Sequence, residues 1–172
     1  GYSILRDLNG DGAVELLVGT PNAGINDDGM AYMLFSSLVW TGRTLGNADV
    51  KFLPYGSSDE RLGADLGPTG DVVGGTTEDF FIAAPGWDGP GTGAGRIHIF
   101  GGDEHSWLGA LSGEDAESTV GASLANDFGE ATVALGDIEL DGNDDIAVLS
   151  EDHEVDDYGF GALYIVRGRN TG

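Results

Sequence analysis

Short apolar runs alternate with glycine-rich polar turns along the whole chain. Each run is about as long as one strand and is enriched in Val, Ile, Leu and Phe, and no amphipathic helical period continues for more than a turn or two. The runs lie at 14–18, 30–35, 80–84, 96–100, 146–149 and 162–166. The pattern therefore predicts an all-β protein.

The runs belong to one unit that repeats almost three times. The first acids of three polar loops, Asp7, Asp71 and Asp137, are separated by 64 and 66 residues. Weaker strand candidates near 50–53 and 107–111 would complete units of about four antiparallel strands, with the polar loop in the first connection. Repeated units of four antiparallel strands are typical of β-propeller blades. A β-sandwich ranks second, because that fold gives no reason for the sequence to repeat at this interval.

The repeat divides the chain into three blade units, at 1–61, 62–127 and 128–172, with a truncated start in the first and a truncated end in the third. Closed propellers have four to eight blades. About three blades therefore predict a partial propeller, a propeller that several chains complete together, or an open curved array.

The loop at 137–145 carries an oxygen-bearing side chain on every second residue. These residues are Asp137, Glu139, Asp141, Asn143 and Asp145. Carboxylates packed this closely repel each other unless a cation neutralises them. Ca²⁺ accepts six to eight oxygen ligands in such a loop, whereas Mg²⁺ keeps more water and uses fewer carboxylates. The spacing predicts a calcium site.

The loop at 7–15 repeats this spacing. Its candidate ligands are Asp7, Asn9, Asp11, the backbone carbonyl of Ala13, and Glu15. An EF-hand would need a bidentate Glu at the twelfth position, where Val18 and Val148 stand, and a helix afterwards, where strand-like runs follow. The sequence therefore predicts two calcium sites in loops that join strands.

The middle loop, at 71–79, is degenerate. It keeps an acid at its first and last positions, Asp71 and Asp79, but has Val73 and Gly75 where the other loops carry ligands. We expect no tightly bound metal there.

The charge balance narrows the range of partners. The chain has 172 residues, with 30 acids against 7 bases and a formal charge of −23. This excess argues against binding nucleic acid or anionic lipid, which both need clustered cations. It suits divalent cations, and adaptation to high salt would give the same bias. The chain has no cysteine, and no stretch approaches the 18 apolar residues of a membrane-spanning helix.

Several short motifs carry a family resemblance. The pair Phe128-Gly129, the Gly136-Asp137 opening of a metal loop, and the strand ends at 19–21 and 83–85 resemble FG-GAP repeats. These repeats form the blades of the integrin α-subunit head and of many bacterial surface proteins. The resemblance implies a propeller that binds Ca²⁺ in the first connection of a blade, with Asn143 acting through its carbonyl. Leu62 replaces the Phe in the second unit.

Candidate catalytic groups are sparse. Neither a Gly-x-Ser-x-Gly elbow nor a His-Glu-x-x-His pair occurs, although paired acids for glycoside hydrolysis stay open among so many carboxylates. His98 alternates with Ile97 and Ile99 and is expected to point away from them, at the surface or at an interface. Trp87 lies in a predicted exposed loop and is a candidate recognition residue, whereas Trp40 and Trp107 suit either recognition or packing between blades.

These observations favour a non-catalytic, extracellular or cell-surface, calcium-binding propeller segment for adhesion or protein–protein interaction. Its partner would be a protein, a glycan, further copies of the chain or the remaining blades of the same propeller, without membrane insertion. One alternative is a structural protomer of an extracellular filament or surface layer. Another is the scaffold or glycan-binding part of a larger secreted hydrolase or lectin.

Overall fold

The computed structural model confirms the all-β architecture and describes residues 1–36, 41–56, 59–103, 107–122, 127–151, 153–155 and 158–169. Its strands form blade-like antiparallel sheets. Two short 3-10 helices, at Leu45–Asn47 and Gly113–Asp115, lie in connections. Among the described residues, no helix is long and apolar enough to cross a bilayer.

The first sheet contains five strands. They are β1 (Tyr2–Leu5), β2 (Glu15–Thr20), β3 (Met30–Leu34), β4 (Val50–Leu53) and β8 (Gly109–Ser112), in this spatial order. The first four pair antiparallel as a meander, and β8 adds to β4 in parallel. Alternate residues along β2 are buried, as expected for a sheet that packs more tightly on one face than on the other.

The second and third sheets repeat the meander. The second consists of β5 (Leu66–Gly70), β6 (Asp79–Ala84), β7 (Arg96–Phe100) and β9 (Ser118–Gly121). The third consists of β10 (Ala131–Gly136), β11 (Asp145–Ser150) and β14 (Ala162–Val166). A small hairpin of β12 (Glu154–Val155) and β13 (Tyr158–Gly159) lies between β11 and β14. All pairs in these sheets are antiparallel.

Two hydrophobic cores lie between successive sheets. The first joins residues of the first sheet, such as Leu17 and Phe52, to Phe80 and Phe100 of the second. The rings of Phe80 and Phe100 stack with centroids 5.3 Å apart. The second core joins Ile97 of the second sheet and its neighbours to Ile146 and Val148 of the third. Sheets stacked face to face through their apolar residues are the arrangement of propeller blades.

The Leu62-Gly63 and Phe128-Gly129 pairs connect neighbouring sheets. Leu62 donates its N–H to the Asp28 carbonyl ahead of β3 (3.0 Å), and Gly63 donates to Ala83 of β6 (2.8 Å). Phe128 and Gly129 make the equivalent bonds to Ala94 and Leu149. A Cβ on Gly29 or Gly95 would overlap the backbone of the pair, and both glycines have positive φ. This close approach explains why a glycine precedes each of these strands.

One strand candidate lies in an unexpected sheet. The segment near 107–111 was predicted to complete the second unit, but β8 pairs with β4 of the first sheet, and β9 takes the outer place in the second. The outer edge of β4 offers unpaired backbone groups, which an extended neighbour can satisfy. A segment within 62–127 thus belongs to the first sheet.

The structure excludes a surface position for His98 and limits the exposure of Trp87. His98 is 2% exposed, because both faces of β7 are covered; its Nδ1 lies 2.9 Å from Thr119 Oγ1, and burial lowers its pKa to about 3. Trp87 is only partly exposed and packs on the first core, with the Arg96 guanidinium 4.6 Å from its ring centroid. Trp107 is buried in the same core, and Trp40 lies outside the described residues.

Candidate metal centre

The three acidic loops occupy equivalent places in the three sheets. Each joins the first strand of its sheet to the second: β1 to β2, β5 to β6, and β10 to β11. The middle and third loops are bonded to each other, since Asp144 donates its N–H to the Asp71 carbonyl (2.7 Å) and accepts the Asp71 N–H at Oδ2 (2.9 Å). These two loops therefore lie side by side.

The loop at 7–15 brings three carboxylates together. Oxygens of Asp7, Asp11 and Glu15 all lie within 4.8 Å of one another, and no other group of three such ligand side chains is found in the described part of the chain. The Asp7 carboxylate accepts the N–H groups of Gly10 (2.7 Å), Asp11 (3.1 Å) and Gly12 (2.7 Å), which curl the loop around it. The predicted convergence of these three acids is present.

Glu15 supplies the least satisfied oxygen of this loop. The residue is 0% exposed, and its Oε2 accepts the Leu8 N–H (2.8 Å). Its Oε1 is buried without a hydrogen-bond partner among the described residues. Burial, followed by the negative charges of Asp7 and Asp11, raises the pKa of the Glu15 carboxyl. A buried carboxylate oxygen that lacks a donor and faces like charges is stabilised by a cation.

The other two predicted ligands, Asn9 and Ala13, make hydrogen bonds that stabilise the conformation of this loop. Asn9 Oδ1 accepts the Asp11 N–H (2.9 Å), and Ala13 donates its N–H to Asp11 Oδ1 (2.8 Å). The first contact fixes the backbone of Asp11, and the second holds its carboxylate. The donor set is rich in oxygen and fits Ca²⁺ better than a metal that prefers nitrogen or sulfur ligands.

The loop at 137–145 adopts the same turn but holds its acids less closely. Asp137 accepts the N–H groups of Asp141 (3.0 Å) and Gly142 (2.8 Å), as Asp7 does in the first loop. Glu139, however, pairs with the exposed Arg167 at 3.1 Å. Asn143 bonds Asp141 Oδ1 through its backbone and its side-chain amide.

The last acid of this loop differs from Glu15. Both oxygens of Asp145 accept a backbone N–H, from Ile138 at 3.1 Å and from Gly168 at 3.0 Å. No oxygen of Asp145 is thus left without a donor. The structure gives weaker geometric support for a cation here than at 7–15, and the difference depends on Glu139, Arg167 and Gly168.

The middle loop is closed by the protein itself. Asp79 is buried and accepts three N–H groups, from Val72, Val73 and Gly102. On the other side of the loop, the exposed Asp103 accepts the backbone N–H and hydroxyl groups of Thr76 and Thr77. Hydrogen bonds led by the Thr77 hydroxyl lower the pKa of the Asp103 carboxyl.

Asp103 was not identified from the sequence. It lies 24 residues after Asp79, beyond β7, and only the pairing of β6 with β7 brings it to the loop. Its position just after a strand end that is shared by all three units was the one available signal.

Comparison with known proteins finds integrin alpha subunits. Integrin alpha-V of Gallus gallus is 29% identical over 181 aligned positions, covering 100% of this chain and 16% of that protein. Integrin alpha-PS5 of Drosophila melanogaster is 32% identical over 153 positions, covering 86% of this chain and 14% of that protein. The chain therefore spans a small part of these relatives. No protein-family model matches the chain. The predicted resemblance is confirmed: over most of its length, the chain is similar to a segment of integrin alpha subunits and has the blade-like sheets of an FG-GAP-type propeller.

Proposed function

We propose that this chain is a calcium-stabilised propeller segment that serves cell-surface adhesion through contacts with a protein or glycan partner. The observation that carries the calcium assignment is the buried Glu15 oxygen without a donor, beside the carboxylates of Asp7 and Asp11. The adhesion assignment is supported by the similarity to integrin alpha subunits over most of the chain.

The carboxylates of Asp7, Asp11 and Glu15 would hold the ion, joined by the Asn9 side chain and the Ala13 carbonyl. Bound Ca²⁺ would neutralise the repulsion among these acids and fix the connection between β1 and β2. Because an unfolded chain does not preform this loop, the free energy of binding adds to the free energy of unfolding. The proposed role is structural, and no reaction is assigned to the site.

A second, weaker site is proposed at 137–145, formed by Asp137, Glu139, Asp141, the Asn143 carbonyl and Asp145. For this loop to bind, Glu139 has to leave Arg167, an exchange that costs little because the Arg167 side chain is 72% exposed. Two ions per chain are therefore expected, with the loop at 7–15 filled first.

An extracellular location is part of the proposal. Calcium modules outside the cell bind their ions with dissociation constants of about 10⁻⁴ to 10⁻³ M, which suits exposed acidic loops such as these. The strongly acidic surface, at −23 formal charge, is compatible with a calcium-rich medium.

Calorimetric titration of the metal-free chain with CaCl₂ tests the proposal. We expect two binding events, of which the tighter is weakened at least about tenfold by Glu15→Gln, because this change removes one carboxylate ligand. Asp141→Asn should weaken only the second event. Glu114→Gln, which changes an exposed acid outside all three loops, is the matched control and should leave both unchanged.

Thermal melting in the same buffers gives an independent measurement. Calcium should raise the melting temperature of the wild type, and less so that of Glu15→Gln. The calcium assignment would be refuted if the titration showed no saturable binding and if chelator left the melting temperature unchanged. Adhesion is tested separately by binding of the calcium-loaded chain to cell surfaces and glycan arrays.

A further inference from the structure

The loop at 7–15 contains a dipeptide that is prone to a covalent change. Asn9-Gly10 is the only Asn-Gly pair in the sequence, and both of its residues are exposed. An asparagine can lose its side-chain amide when the backbone nitrogen of the next residue attacks the side-chain carbonyl carbon, a reaction within one chain. A side chain on that next residue hinders the attack, and glycine has none. The sequence therefore favours deamidation at Asn9.

The structure leaves the backbone at this pair unobstructed. Gly10 has a φ of +79°, and no heavy atom beyond its chain neighbours lies within 4 Å of the position that a Cβ would occupy there. The exposed side chain of Asn9 is also accessible to water, which completes the reaction. Packing against other segments therefore does not shield the Gly10 nitrogen.

Hydrogen bonds of the loop place a proton acceptor and a proton donor at the reacting groups. Asp7 Oδ1 accepts the Gly10 N–H (2.7 Å), so this carboxylate is placed to take the proton that the nitrogen must lose. Asp11 donates its N–H to Asn9 Oδ1 (2.9 Å), where it stabilises the negative charge that develops on this oxygen during the attack. The loop itself thus assists both the nitrogen and the carbonyl group.

We propose that Asn9 is a deamidation site of the metal-free chain and that calcium protects it. The Gly10 nitrogen forms a bond to the Asn9 side-chain carbonyl carbon and passes its proton to Asp7. The bond from that carbon to the amide nitrogen then breaks, and the amide leaves as ammonia with this proton. Water opens the resulting succinimide ring at either carbonyl and yields aspartate or isoaspartate, so the net change is hydrolysis of the side-chain amide.

The protection by calcium rests on the proposed metal site, whereas the deamidation itself does not. The carboxylate of Asp7 and the side-chain oxygen of Asn9 are both proposed ligands of the ion. A bound ion would occupy the carboxylate that takes the proton and would fix the Asn9 side chain in its coordination shell. Attack is therefore expected in the empty loop and is suppressed in the filled loop.

The two products should change the calcium site in opposite directions. Aspartate adds a fourth carboxylate to those of Asp7, Asp11 and Glu15 and increases the attraction for a cation. Isoaspartate brings the side-chain CH₂ into the backbone and lengthens the path from Asp7 to Asp11, so the three carboxylates, whose oxygens lie within 4.8 Å of one another, no longer converge. The state of Asn9 would thus record how long the chain has been without calcium.

Peptide mass spectrometry after long incubation at neutral pH tests the proposal on the folded chain in chelator and in saturating calcium. Asn9 should convert about tenfold faster or more in chelator. Asn47, which is exposed but precedes Ala48, is the internal control and should stay intact in both buffers. Asp7→Asn removes the proton acceptor and should slow the conversion in chelator. Glu15→Gln keeps that acceptor and should convert like the wild type in chelator but lose protection by calcium.

Thermal melting first establishes that both variants are folded. The proposal would be overturned if Asn9 stayed intact in chelator over a period in which it converts in the urea-unfolded chain, because the fold would then hinder the attack. Equal conversion with and without calcium, in a chain that binds calcium in the titration, would overturn the protection. A titration without binding would overturn the metal site and the protection but not the deamidation, which is measured in chelator.

Discussion

At the residue scale, the last acid of each loop decides how the loop is held. Glu15, Asp79 and Asp145 all accept the N–H of the residue that follows the first acid of their loop. The second oxygen differs: in Asp79 and Asp145 it accepts a glycine N–H from beyond the third strand, whereas in Glu15 it has no such donor among the described residues. This one oxygen distinguishes the loop at 7–15, where we propose the tighter calcium site, from the other two loops.

Asp79 should make stability depend on pH. Burial raises the pKa of this carboxyl from 3.8 to about 6, so the folded chain binds the proton more tightly than the unfolded chain does. Its contribution to the free energy of unfolding is therefore largest at low pH and declines as pH rises from about 4 to above 6. Between pH 5 and 7 the free energy of unfolding of the wild type should fall by about 1 kcal/mol relative to that of Asp79→Asn, because the asparagine side chain does not titrate.

Urea unfolding of both proteins at several pH values measures this difference. All other groups titrate in both proteins, so the difference isolates Asp79. If it stayed constant or grew with pH, the pKa of Asp79 would not be raised in the folded chain.

At the element scale, the middle loop shows how a connection keeps its shape without metal ligands. Val72 and Val73 are buried in the second core, and Asp103 closes the exposed half of the loop through Thr76 and Thr77. A carboxylate from the end of the neighbouring strand satisfies the donors of this loop. The fixed strand pairing of β6 and β7 makes that possible.

Asp103→Ala should destabilise the chain by about 1 kcal/mol, because it removes an acceptor shared by four donors at an exposed site. The loss should be the same with calcium and with chelator, since the calcium loops are not involved. Asp103→Asn keeps one acceptor oxygen and should lose less. Chemical denaturation in both buffers measures the effect, and a loss seen only in calcium would contradict it.

At the scale of the whole molecule, a buried ion pair links the connection between the first two sheets to the second sheet. Glu60, in the connection between β4 and β5, is fully buried and pairs with Arg96 of β7 at 3.0 Å. Glu60 also accepts the Tyr55 N–H, and Arg96 lies over the Trp87 ring. Removal of one partner leaves a buried charge without compensation, which is costly.

Glu60→Gln should therefore lower the free energy of unfolding by about 3 to 5 kcal/mol. Arg6→Gln is the matched control, because the Arg6 side chain is 79% exposed and pairs loosely with Glu78 at 3.6 Å; its effect should stay within about 0.5 kcal/mol. Replacement of both Glu60 and Arg96 by Met should restore part of the lost stability. Equal effects of the two single changes in urea unfolding would contradict this account.

The sequence by itself determined the local features of the chain. The 64- and 66-residue repeat, the apolar runs and the alternating acids predicted the strands, the fold class and the approach of Asp7, Asp11 and Glu15, because each depends on residues close in sequence. Calcium at either loop stays a prediction. The similarity to integrin alpha subunits was also visible in short local motifs.

Only the tertiary structure decided which surfaces meet. It placed β8 in the first sheet and brought Asp103 to the middle loop. It also buried His98, because both faces of β7 are covered, and left Leu163 and Ile165 exposed. Periodicity tells which residues share a face of a strand, but not what covers that face. The cover comes from segments distant in the chain, so burial and the remaining unpaired oxygens are set by the packing of whole sheets.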